Sequence, residues 1–96
     1  MIQLDDLRRR KAAILQLAAK YGIQSVRVFG SAANGQAGAT SDVDLLVDFR
    51  QGRSLLDQVG FEQEVADLLG CPVDVIAEGG ISPYLEKRIL EDAVPL

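Results

Sequence analysis

The chain has 96 residues, 48% of them hydrophobic, enough for one compact core and too few for two, so residues 1–96 are expected to fold as one domain. Lys+Arg 10 against Asp+Glu 14 leaves a formal charge of -4, which repels a phosphate backbone and makes direct nucleic-acid binding unexpected. With no His and a single cysteine, Cys71, neither a Cys/His zinc site nor an intrachain disulfide can be assembled, so any metal must be held by oxygen.

Leu4, Leu7, Ile14, Leu17, Ala18 and Tyr21 fall at spacings of three, four and seven, and Gly22 follows as a stop. That pattern predicts one amphipathic helix over residues 4–21 with its stripe in the core. The same stretch lacks the long apolar run of a signal peptide, and no segment approaches the length of a membrane span, which predicts a cytoplasmic protein with no membrane partner. Arg8, Arg9, Arg10 and Lys11 are consecutive. On a continuous helix they encircle the axis, which favours a solvated surface over a phosphate patch.

Residues 25–29 are β-branched and aromatic, with Val26 and Val28 alternating, and read as a strand that runs into Gly30. The following stretch, 32–40, has no large apolar side chain and must be a connection. Residues 42–49 are the second strand. Ser54 with Asp57 three residues on forms a capping box for a helix that ends at Leu69, before Gly70. A third strand is predicted over 72–76, where Pro72 is tolerated at the first position. Ser82 as N-cap and Pro83 start a last helix to about residue 93, with Leu85, Ile89 and Leu90 turned inward. The order of elements predicts an α/β (α+β) fold, one sheet backed by helices.

Asp42 and Asp44 stand two apart in a strand, so both carboxylates leave the face opposite to Val43 and Leu45. Asp42 could simply end the turn at Ser41, but a hard cation would convert the repulsion of the pair into ligation. Asp74 repeats the arrangement between Val73 and Val75. If the two strands are neighbours, three carboxylates meet on one face, as a pair of Mg²⁺ ions about 4 Å apart requires. Asp48 lies on the same face but roughly 13 Å further along, and is expected at the surface. Gly30 permits a tight turn after the first strand, and Ser31 with the N–H groups that follow can grip a phosphate.

The spacing "GS", ten residues, then "DVD" resembles the Gly-Ser-x10-Asp-x-Asp signature of the nucleotidyltransferase superfamily related to the polymerase β palm. The leading helix, "VRVFGSAA", "SDVDLLVDF", "CPVDVI" and "SPYLEKRILEDAVPL" resemble segments of the minimal nucleotidyltransferases, the MNT family. The resemblance implies a small mixed sheet with Asp42, Asp44 and Asp74 as metal ligands and catalytic residues, Asp74 also as a candidate base, and Gly30 and Ser31 holding the triphosphate of ATP. It further implies two Mg²⁺ ions, a helical HEPN toxin as partner in a hetero-oligomer or beside a second copy, and an antitoxin that transfers AMP to a partner tyrosine. Where the family usually has arginine in Gly-Ser-x-Ala-Arg-Gly, this chain has Asn34, which offers the triphosphate neutral donors in place of a charged fork. Two other readings stay open: an antitoxin that acts by contact alone, and a transferase for a small molecule with a helical partner completing the cleft.

Overall fold

The computed structural model describes residues 4–29, 43–52, 54–78, 87, 89–91 and 93–96. The helix expected over 4–21 is two helices, α1 (Leu4–Arg9) and α2 (Lys11–Lys20). At Arg10 the backbone leaves helical geometry (φ -100°, ψ 10°), and its N–H donates to the carbonyl of Leu7, three residues back, at 3.0 Å. Neither Gly nor Pro marks this break, and the apolar spacing carries across it. Leu7, Ile14 and Ala18 are buried, with Leu4, Leu17 and Tyr21 packed against them.

Strand β1 (Ile23–Phe29) starts two residues earlier than expected and carries a bulge between Ile23 and Ser25. Strand β2 (Val43–Phe49), helix α3 (Leu55–Leu69) and strand β3 (Val73–Ala77) follow. The capping residues at both ends of α3 act as the sequence predicts. The Ser54 N–H donates to Asp57 Oδ2 at 2.9 Å, and Gly70 adopts the left-handed conformation (φ 70°) that releases the chain toward β3. Most of the last helix, Leu85 included, lies outside the described residues. Lys87, Ile89, Leu90 and Glu91 are helical, and the Ala93 N–H bonds the Ile89 carbonyl at 2.9 Å. A two-residue strand, β4 (Val94–Pro95), then joins the sheet, an element too short to leave any periodicity in the sequence.

The four strands lie in the order β3-β2-β1-β4. β1 is antiparallel to both β2 and β4, and β2 is parallel to β3, which makes the sheet mixed. Val26, Val28, Val43, Leu45, Val47, Val73 and Val75 share the core face with Leu7, Ile14, Phe61 and Val65 of the helices. β2 is central, and all of residues 43–47 are buried, the signature of a strand covered on both faces.

Helices α2 and α3 meet where Gly60 removes a side chain. A Cβ at that position would lie 2.6 Å from Cε1 of Tyr21, whose ring packs edge-on against Phe61 at 6.5 Å. Beside them Lys20 Nζ lies 3.1 Å from Glu64. Because α2 ends at this level, the first turn of α3 extends past it, which leaves Leu55 and Leu56 71% and 81% exposed. Among the described residues no helix is long and apolar enough to cross a membrane.

Candidate functional site

The parallel pairing of β2 and β3 sets Val43 opposite Val73, Asp44 opposite Asp74 and Leu45 opposite Val75. Since alternate side chains leave alternate faces, the valines and Leu45 enter the core and the two aspartates emerge together on the other side. Neighbouring strands are about 4.8 Å apart, so these two carboxylates are adjacent. Their surroundings differ. Asp44, on the central strand, is only 7% exposed, whereas Asp74, on the outer strand, is open to solvent.

Across β2 on the other side, Phe29 is the register partner of Asp44. Phe29, the last residue of β1, and Val43, the first of β2, therefore lie at one end of the sheet, beside Asp44. Asp42, Gly30, Ser31 and Asn34 all lie outside the described residues. Among the described residues no three metal-ligating side chains converge, and the pair Asp44 and Asp74 is the part of the expected constellation that the described structure brings together. Asp48 sits at the far end of β2 opposite Ser25, where it is half-buried and accepts a hydrogen bond from Gln24 Nε2. The expectation of a surface residue remote from the pair needs that one adjustment, a partner on β1.

Two residues of α3 that sequence reasoning missed face β3. Gln58 Nε2 donates to the carbonyl of Val75 at 2.8 Å and so supplies a partner on the outer edge of β3, next to Asp74. One turn further on, burial pushes the Glu62 carboxyl above its usual range, and the negative charge of Asp74 adds to the shift. Their i, i+4 spacing puts both on one side of α3. In the sequence that spacing looks like any solvated polar stripe.

The residues from 10 to 96 match the model of the nucleotidyltransferase domain family. The chain belongs to that family. It is 38% identical over 93 residues to the provisionally named protein adenylyltransferase MJ0435 of Methanocaldococcus jannaschii, with 97% of each chain covered. It is 35% identical over 79 residues to the protein adenylyltransferase MntA of Thermococcus cleftensis, covering 82% of this chain and 80% of that one. A solved structure provisionally described as a minimal nucleotidyltransferase superposes with a TM-score of 0.84 at 45% identity, covering 99% of this chain and 97% of the other. A chain of the complex between tri-AMPylated Shewanella oneidensis HEPN toxin and MNT antitoxin gives a TM-score of 0.70, covering 92% of this chain and 69% of that one. At 18% identity that last likeness is one of fold. The chain is thus an enzyme of the nucleotidyltransferase type with the mixed-sheet fold of the minimal nucleotidyltransferases.

Proposed function

We propose that this nucleotidyltransferase is a single cytoplasmic domain that moves AMP from ATP to a tyrosine hydroxyl of a helical HEPN-type partner, and that it acts as an antitoxin by doing so. The observation that carries the proposal is the register of Asp44 against Asp74 on the face of the sheet away from the core. Relatives named as protein adenylyltransferases, one of them MntA, support the choice of a protein acceptor.

The donor set fits Mg²⁺. Two carboxylates side by side, one of them nearly buried, are an oxygen-only environment suited to a hard divalent cation, and the chain has no His to favour a softer metal. Asp44 and Asp74 would hold it with Asp42. When bound, it supplies charge neutralisation for the triphosphate and the attacking oxygen. Asp44, enclosed between two strands, is the fixed anion of the set. Asp74 is exposed, so it can meet an incoming hydroxyl and take its proton as the tyrosine oxygen bonds to the α-phosphorus. The bond from that phosphorus to the bridging oxygen breaks, and pyrophosphate leaves. Gly30, Ser31 and Asn34 are proposed to grip the triphosphate, since β1 ends at Phe29, the register partner of Asp44.

Mass spectrometry of a candidate helical partner, incubated with this protein, ATP and Mg²⁺, tests the reading. Addition of one or more AMP units to a tyrosine is expected with the wild type and not with Asp44→Asn. Neutralisation of the partner without any mass change, undiminished in Asp44→Asn, would replace it with inhibition by contact.

A further inference from the structure

The four cations at positions 8 to 11 do not encircle a helix, because the helix stops among them. Arg9 is the last residue of α1, Arg10 has left helical geometry, and both line one cavity of 290 Å³ together with Asp6 and Leu69. Leu69 is the last residue of α3, and only residues 70–73 separate it from Asp74. The cavity therefore lies at the end of α3 from which the chain turns into β3.

We propose that this cavity is a docking pocket for an acidic side chain of a protein partner, gripped by the Arg9 and Arg10 guanidiniums; the choice of a protein ligand rests on the function proposed above. Guanidinium groups form paired, charge-assisted hydrogen bonds with a carboxylate, and Leu69 offers an apolar surface for the methylenes of a glutamate. The volume lies at the lower limit of about 300 to 1,000 Å³ typical of ligand pockets, so it suits one side chain better than a nucleotide. A nucleic acid is the poorer fit. Polynucleotide binding relies on a track of cations along many phosphates, whereas this pocket is single and is lined by Arg9 and Arg10 alone of the basic run.

The test is an NMR titration of the whole chain with a synthetic peptide of alternating Gly and Glu, with inorganic phosphate and with oligo-dT as separate probes. Saturable shifts of the Arg9 and Arg10 Nε–H signals by the peptide are expected. Arg9→Gln with Arg10→Gln should weaken peptide binding at least ten-fold. Arg8→Gln with Lys11→Gln, which removes the same charge outside the cavity, should change it less than two-fold. Equal losses in the two double variants would reduce the effect to bulk electrostatics and overturn the pocket. Tighter binding of oligo-dT or phosphate than of peptide would overturn the choice of ligand, and absence of any saturable shift would overturn both. Binding of a non-hydrolysable ATP analogue, measured on the same samples, reports separately on the nucleotidyltransferase reading, because none of these variants touches Asp44 or Asp74.

Discussion

Asp44 and Asp74 place two like charges in adjacent strands, one nearly buried, which is a poor arrangement for stability and a good one for holding a cation. Function and stability should therefore part at this pair. In the presence of a chelator, Asp44→Asn is expected to raise the unfolding midpoint by several degrees, an effect on the order of 1 kcal/mol, while Mn²⁺ affinity falls at least ten-fold. Thermal unfolding with EDTA and a parallel Mn²⁺ titration decide it, and a variant that binds Mn²⁺ like the wild type removes Asp44 from the metal site. The pair was legible in the sequence because period-two alternation fixes the face of each side chain, and "DVDLL" and "PVDVI" put an aspartate where an apolar residue would be indifferent. Gln58 and Glu62 were not legible. Their role depends on which strand lies beside one face of α3, and a helical stripe of polar residues does not say whether water or a strand edge is its neighbour.

At the level of elements, the capping chemistry of α3 was readable residue by residue, but the junction of α2 with α3 was not. Gly60 inside a helix suggests only a loss of about 1 kcal/mol in propensity relative to Ala. The structure gives its reason, a close approach by the Tyr21 ring. Gly60→Ala should accordingly destabilise the protein by about 1 kcal/mol despite the better propensity, and become stabilising in a Tyr21→Ala background. A double-mutant cycle in urea reads the sign change, and its absence would mean that the ring swings aside at no cost. β3 has β2 on one side, and on the other the Gln58 side chain supplies a hydrogen bond to Val75. Gln58→Leu leaves that part-buried carbonyl without this donor, a loss of about 1 to 2 kcal/mol. If Gln58 positions Asp74, AMP transfer should fall through kcat more than through KM, with β3 amides exchanging faster; unchanged kcat would leave Gln58 a purely structural residue. The break at Arg10 and the strand β4 are the elements that sequence reasoning missed. Hydrophobic periodicity runs unbroken through the first, and two residues are too few to show a period in the second.

Across the whole molecule, the helical layer is tied by Lys20, Tyr21 and Glu64, and their titration sets how stability depends on pH. Hydrogen bonds from Tyr21 and Lys20 hold the Glu64 carboxyl below its usual 4.5. Hydrogen bonding to Glu64 raises the Lys20 ammonium above 10.5 and the Tyr21 phenol above 10.0. A carboxyl lowered by folding contributes stability above its unfolded value and loses it as pH falls through the folded one. An ammonium or phenol raised by folding contributes fully below its unfolded value and loses that as pH rises through the folded one. The cluster thus works at full strength between about pH 4.5 and pH 10 and weakens on both sides, by a small amount because Lys20 and Glu64 are 59% and 36% exposed. Glu64→Gln removes the charge of the common acceptor while keeping an oxygen in its place. The difference in unfolding midpoint between wild type and Glu64→Gln is expected to be constant across that window, to close as pH falls below 4.5 and to shrink again above pH 10. A difference that persists undiminished at pH 3 would show that Glu64 acts through packing against α2 and not through its charge.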